Sequence, residues 1–371
     1  MKQNVFYIGH YYDNNGLGES CRRYLDCLSS IRKVNLTSRP IYVTYNSISK
    51  LHKSNQYNEY EDNKFKKYNI LIQQTFPEYL EYHKEFGKNI AILEIETANI
   101  AASGRVDKIN MMDEIWVGSE FSAKSLQLAG VFKPIKVIPE PYEILEYETE
   151  KKDFFKYESE IRPFIFYTIG QYSEKKNIKS MIMAYLLEFN KKDNVRLFIK
   201  TNDYRIENND LENIIKHDMN TIKNIIRKPA DMYPDVDIVC GYLSKKDIIR
   251  LHKSSNCYIN SVRGDGFGSS AIEAALSDNQ VINTKNIGSA TYFNNNNAFM
   301  VNSIETKTVC SNSMIINAYT INETWFEPSL ADIRNCMRKA YNARLDKTIE
   351  YKSENFDKTI FSHELIKTQI I

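Results

Sequence analysis

The chain has 371 residues, 42% hydrophobic and 26% charged, a balance that excludes disordered and fibrous classes and leaves room for two domains of ordinary size. Its 49 basic and 47 acidic side chains give a formal net charge of +2, so no global field demands a polyanionic partner. Six cysteines without a Cys-x-x-Cys pair suit buried small hydrophobes in a reducing compartment, not a disulfide framework or a zinc site.

The opening Met1–His10 carries too short an apolar run for a signal peptide, and no run of eighteen apolar residues occurs anywhere. A cytoplasmic chain without a membrane span is expected. Val5–Ile8 reads as a strand, and Glu19–Ile31 as a helix with Tyr24, Leu25, Leu28 and Ile31 on one stripe. Compact apolar runs follow at Ile41–Thr44, Ile70–Gln73, Ile90–Leu93, Glu114–Val117 and Ile135–Ile138. Between the last two lies a helix opened by Ser119 and closed by Gly130.

The charged stretch Leu145–Arg162 lacks strand character and reads as an interdomain connection. The alternation then resumes. Strands are expected at Phe164–Ile169, Val195–Lys200, Val236–Cys240, Cys257–Asn260 and Gln280–Asn283. Helices are expected at Ile178–Phe189, Leu211–Ile226, Lys245–His252, Ser269–Leu276, Ala331–Leu345 and Ser362–Gln369. Continuous Val/Ile/Leu strands alternating with helices predict two doubly wound α/β domains, each a Rossmann-like parallel sheet, with ligands at the strand C-termini.

The richest segment is Ser261-Val-Arg-Gly-Asp-Gly-Phe-Gly-Ser-Ser-Ala-Ile-Glu-Ala-Ala-Leu276, placed after a strand and opening a helix. Gly264, Gly266 and Gly268 permit sharp turns and close approach, and a helix starting near Ser269 would aim its N-terminus at a phosphate. Asp265 and Glu273 stand eight apart. On the residues alone, a tight βα turn with a surface Glu is the competing reading. Asp235-Val-Asp237 spells a possible divalent-metal motif, but it enters an apolar strand and reads better as a strand flank, so no metal site is assigned. The six histidines show no ligand spacing; His10 follows the first strand, where it could touch an acceptor, and His83 reads as structural.

The glycine-rich segment resembles the glutamate-x-seven-glutamate motif of retaining GT-B glycosyltransferases, above all glycosyltransferase family four, with Asp265 where that motif has its first Glu. Other matches fall in order along nearly the whole chain. Tyr12-Asp-Asn-Asn-Gly-Leu-Gly-Glu-Ser-Cys-Arg-Arg23 is similar to the family's N-terminal glycine loop and helix. Met112–Ser122 and Val137–Pro141 resemble the last strands of its acceptor domain. Thr168-Ile-Gly-Gln-Tyr-Ser-Glu-Lys-Lys-Asn177 resembles the first strand and loop of its donor domain, and Phe361–Glu364 its closing helix.

The resemblance implies a GT-B architecture: an acceptor-binding domain at 1–143, a linker at 144–162, a donor-binding domain at 163–345 and a helical segment at 346–371 returning to the first domain. It implies a nucleotide-diphospho-sugar as donor substrate, no further cofactor, and transfer to a glycan or small molecule. Glu273 would take the ribose, and Lys176 with the Gly268 and Ser269 amides the phosphates. Asp265 with Gly266 and Phe267 would hold the sugar, and the base would lie near Tyr242 and Leu243. Gly16 and Gly18 would approach the diphosphate from the other domain. Asp265, Lys176 and Glu273 are the implied catalytic set. Gln171 occupies a position the family gives to Arg, and Lys175 or Arg263 could compensate for the lost charge. Two alternatives stay open: transfer to a hydroxymethylated DNA base, and nucleotide-sugar binding without catalysis.

Overall fold

The computed structural model describes residues 2–42, 56–156, 162–203, 205–308, 319–320, 322–345 and 352–370. Two compact units emerge, one of Met1–Glu143 with Thr359–Ile371, the other of Ile144–Lys358.

The first unit runs β1 (Gln3–Gly9), α1 (Gly16–Ser29), β2 (Val34–Pro40), α2 (Asn58–Asp62), β3 (Ile70–Gln74), β4 (Lys88–Leu93), α3 (Val106–Asn110), β5 (Glu114–Val117), α4 (Glu120–Leu128) and β6 (Ile135–Val137). All six strands are parallel, in the order β2-β1-β3-β4-β5-β6. The order reverses between β1 and β3, so the β1–α1 loop leaves the sheet where doubly wound folds receive ligands. The apolar strands are buried on both faces: Ile90, Ile92 and Trp116 pack with α1 residues Tyr24, Leu25 and Leu28, while Ala91, Leu93, Ile115 and Val117 pack with Leu126 of α4.

The strand expected at Ile41–Thr44 is instead Val34–Pro40, while Val43 and Thr44 lie outside the described residues. Val34–Pro40 hides its strand character because its central residues are Thr37 and Ser38. Both are fully buried, Thr37 donating to the Asn63 carbonyl and Ser38 accepting from the Tyr11 hydroxyl. Buried hydroxyls with partners fit a core that a hydrophobicity pattern would not predict.

The second unit begins with α5 (Ile144–Thr149), inside the stretch read as a connection, and continues β7 (Phe164–Gln171), α6 (Ile178–Glu188), β8 (Val195–Asn202), α7 (Asn208–Ile226) and β9 (Asp235–Cys240). Then come α8 (Lys245–Ser254), β10 (Cys257–Asn260), α9 (Ser269–Leu276), β11 (Gln280–Thr284) and β12 (Phe299–Val301). Its parallel sheet has the order β12-β11-β10-β7-β8-β9, with the reversal between β7 and β10. Phe164, Phe166, Leu197 and Ile199 on one face pack against Ile182 and Leu186 of α6, with Met337 and Ala340 alongside. An antiparallel hairpin, β13 (Ser303–Lys307) and β14 (Thr324–Pro328), has no counterpart in the sequence reading. Helix α10 (Leu330–Leu345) follows, carrying Met337 and Ala340, and residues 352–358 still belong to this unit.

From Thr359 the chain rejoins the first unit. Tyr142 N donates to the Phe361 carbonyl at 2.7 Å, and α11 (His363–Ile370) buries Ile366 and Ile370 in the core containing α1. Among the described residues no helix is long and apolar enough to cross a membrane.

Candidate functional site

Because β7 and β10 are neighbours at the reversal point, their following loops, Tyr172–Asn177 and Ser261–Gly268, leave the sheet side by side. Hydrogen bonds weld them. Arg263 N donates to the Lys175 carbonyl at 2.8 Å, Asn177 Nδ2 donates to the Ser261 carbonyl at 3.2 Å, and Arg263 Nη1 donates to the Glu174 carbonyl. Asn177 is buried in the left-handed conformation (φ 53°), which Asn tolerates better than most residues.

Lys176 lays its stem across Gly170: a Cβ added at Gly170 would meet Lys176 Cγ and Cδ at 3.5 Å. Its ammonium forms no ion pair with any described residue. Arg263, by contrast, is fully committed. Its Nε and Nη2 donate to the Glu327 carboxylate on β14 and its Nη1 also reaches Glu174 Oε2 at 3.1 Å. It clamps the hairpin to the β7–α6 loop. Lys175 Nζ stands 5.9 Å from the Tyr319 ring centroid.

Gln171, at the end of β7, donates its Nε2 to Asp203 Oδ2 at 3.3 Å, and Arg205 Nε donates to Asp203 Oδ1 at 2.8 Å. Burial alone would raise the Asp203 carboxyl, but the hydrogen bonds from Arg205 and Gln171 hold it below its usual value. The cation nearest to Gln171 in this network is thus Arg205, a residue the sequence reading missed because it lies in a loop after β8.

The β10–α9 loop folds tightly upon the following segment. Gly268 sits at φ +90°, and a Cβ there would fall 2.5 Å from Ser289 Cβ and 2.9 Å from Asp265 Oδ2. A Cβ at Gly288 would fall 2.2 Å from the Gly266 carbonyl oxygen, and Gly288 N donates to the Asp265 carbonyl at 2.7 Å. The buried Asp265 accepts from Phe267 N at 3.2 Å, so its carboxylate braces its own loop; Phe267 is itself buried against Tyr292. The N-cap position of α9 is Gly268, which has no side chain to offer, and the first helical residues Ser269 and Ser270 are half-buried. The N-terminus of such a helix carries the dipole and amide character that favours an anion.

Glu273, expected on the helix surface if the turn were merely structural, is buried, with its Oε2 3.3 Å from Nε2 of a fully buried His252 on α8. Behind His252 stand Tyr167 and Asn279, neither singled out in the sequence. At the end of β9, Gly241 adopts φ +112° and donates to the Thr201 carbonyl, which turns the chain into Tyr242, 58% exposed, and half-buried Leu243. One strand, β8, separates β9 from β7, so the two lie roughly 10 Å apart at ordinary strand spacing.

Within the first unit, Asn15 caps α1 by accepting from Gly18 N at 2.9 Å. A Cβ at Gly18 would lie 1.9 Å from the Asp13 carbonyl oxygen, whereas Gly16 faces open space. Gly18 is therefore demanded by its own loop. His10 is buried, with Nε2 3.0 Å from Thr75 Oγ1 and Nδ1 3.6 Å from Asp13 Oδ2. Asp235 pairs with Lys191, and Asp237 with Arg196 at 3.2 Å, as flanks of an edge strand. Among the described residues no cluster of three or more His, Cys, Asp or Glu side chains could hold a metal ion.

No protein-family model matches the chain, and no curated protein matches it by sequence. Solved structures do match. A trehalose-phosphate synthase from Burkholderia xenovorans, in complex with glucose-6-phosphate, aligns over 99% of this chain and 98% of its own with a TM-score of 0.68 at 9% identity. Anabaena HepE in complex with UDP aligns over 100% and 98% with a TM-score of 0.64 at 13% identity. A glycosyltransferase from Rickettsia africae aligns over 99% and 96%, with a TM-score of 0.63 and 14% identity. The fold is GT-B. Both units carry the parallel Rossmann-like sheets of that class, as the strand alternation in the sequence predicts.

Proposed function

We propose that the chain is a retaining glycosyltransferase that moves a sugar from a UDP-sugar to an acceptor hydroxyl on a glycan or small molecule. One observation carries this reading: Lys176, whose ammonium forms no ion pair with any described residue, and the N-terminus of α9 stand on two loops welded together at the β7/β10 reversal. Such a pairing suits a diphosphate. The UDP and UDP-glucose held by the HepE structures favour uridine over the other bases.

In this reading Lys176 and the Gly268–Ser269 amides take the diphosphate, and Glu273 the ribose. Asp265 with Gly266 and Phe267 takes the sugar, and exposed Tyr242 with Leu243 the base. The first unit is the acceptor-binding domain in this reading. The bond from the anomeric carbon to the phosphate oxygen breaks as the acceptor oxygen bonds to that carbon on the same face. The departing phosphate oxygen takes the acceptor's proton. The protein's main work is then to stabilise charge on the leaving diphosphate, a task for fixed cations and amides. We further propose that no divalent metal is needed, since Asp235 and Asp237 already face cations.

A thermal-shift panel of UDP-, GDP- and ADP-sugars tests the reading, because a true donor at 100 times its dissociation constant adds about 2.7 kcal/mol of stability. Proton NMR of the product should show the donor's anomeric configuration retained, in the presence of EDTA. Absence of stabilisation by every nucleotide-sugar would overturn the reading.

A further inference from the structure

We infer that His252 is a positioning residue that fixes the Glu273 carboxylate through a neutral imidazole whose tautomer is dictated by Tyr167 and Asn279; its link to ribose binding rests on the proposed donor site.

Asn279 Nδ2 lies 2.6 Å from the backbone carbonyl of His252, and a carbonyl oxygen can only accept. The atom facing it must therefore be the amide nitrogen. That same nitrogen is 2.8 Å from the Tyr167 hydroxyl, so the hydroxyl accepts from Asn279. The phenolic proton must then go to the other neighbour of that oxygen, His252 Nδ1 at 2.6 Å. Tyr167 and His252 are both fully buried, and burial drives the phenol pKa well above its usual value, so the proton stays on the ring oxygen.

With Nδ1 accepting, the ring proton of a neutral His252 sits on Nε2 and points at Glu273 Oε2, 3.3 Å away. A doubly protonated ring would strand the phenolic proton in the core, since Tyr167 has no other acceptor among the described residues. The relay runs from α8 and β7 into α9, and the Tyr167 ring packs edge-on against His252 at 5.4 Å between centroids. A carboxylate held through one oxygen by a rigid, buried donor loses its terminal torsion. Ligand hydroxyls then meet it without a further ordering cost.

Two measurements on the full chain test the inference. In protein labelled with 15N-histidine, the His252 signals, assigned by their loss in His252→Gln, should show a protonated Nε2 and an unprotonated Nδ1 at pH 7. Tyr167→Phe should disturb that pattern. A protonated Nδ1 in the parent would overturn the inference. Calorimetry with UDP and 2′,3′-dideoxy-UDP supplies the second arm. His252→Ala should weaken UDP about tenfold, the loss of one hydrogen bond to a charged group, while leaving the dideoxy analogue within about twofold. His252→Gln, whose amide nitrogen can still donate to Glu273, should recover most of the loss. Equal weakening of both ligands, or no rescue by Gln, would reduce His252 to a packing residue. If His252→Ala does not fold, Tyr167→Phe carries the same comparison. If the parent binds no UDP at all, the donor-site reading fails, and the tautomer still decides whether His252 holds Glu273.

Discussion

The side-chain amide of Asn177 donates to the main-chain carbonyl of Ser261 at 3.2 Å, joining the loop that carries Lys176 to the loop that opens α9. Asn177 is buried and left-handed. Asn177→Ala removes the bond, leaves a buried carbonyl short of a donor and strains the backbone. It should destabilise the fold by about 1–3 kcal/mol, read from urea midpoints. UDP affinity should fall in the same variant, because the two halves of the proposed anion site lose one of their ties.

Lys176 and Arg263 should separate cleanly. Lys176→Ala removes a cation that no carboxylate among the described residues holds in place. Its melting temperature should stay near the parent's while UDP binding weakens by about 1.5–3 kcal/mol. Arg263→Ala strips two carboxylates, Glu174 and Glu327, of their shared partner, so its signature should be lost stability. The reverse pattern, with Lys176 stabilising and Arg263 binding, would contradict both assignments.

The glycines make a graded series. Gly268→Ala combines a φ of +90° with a Cβ 2.5 Å from Ser289 Cβ, and Gly18→Ala drives a Cβ to within 1.9 Å of the Asp13 carbonyl oxygen. Both should fold poorly. Gly16→Ala meets nothing within 4 Å and should be neutral or stabilising by a few tenths of a kcal/mol, as expected for Ala over Gly in a helix. Thermal melts of the three variants check the order.

Lys200, on β8 between Ile169 and Val239 of the neighbouring strands, is 7% exposed, and burial pushes its pKa down from 10.5 to about 8. Between those values the unfolded chain holds a proton that the native chain does not, so stability should rise with pH there. Below about 8 both states are protonated and the full penalty remains. Lys200→Met should therefore be more stable than the parent at pH 7, and its advantage should shrink from pH 8 to 10 in urea titrations. A constant difference across that range would contradict the depressed pKa.

Much of the fold was legible because the buried strands are runs of Val, Ile, Leu and Phe, a pattern that parallel sheets require on both faces. Strand β2 escaped because Thr37 and Ser38 are buried as hydrogen-bonded hydroxyls. The hairpin of β13 and β14 escaped because Ile304, Glu305 and Lys307 lie on a mostly exposed ladder without an apolar period.

At the candidate site, the glycine spacing announced a tight turn before α9, and Gly268 there answers to specific atoms of Ser289 and Asp265. Arg263, offered as a substitute for the charge missing at Gln171, pairs with Glu174 and Glu327. Nothing local to the Ser261–Leu276 segment reveals that Glu327, sixty-four residues on, claims its guanidinium. For the same reason His252 could not be linked to Glu273: the contact spans twenty-one residues and two helices, and only the packed sheet brings them together.

The most direct test of the central claim is calorimetric titration of UDP into the parent, Lys176→Ala and Glu273→Ala. The account predicts measurable binding by the parent and weakening by about 1.5–3 kcal/mol in Lys176→Ala. It also predicts a loss in Glu273→Ala that vanishes when 2′,3′-dideoxy-UDP replaces UDP. Equal UDP affinity in all three proteins would contradict it.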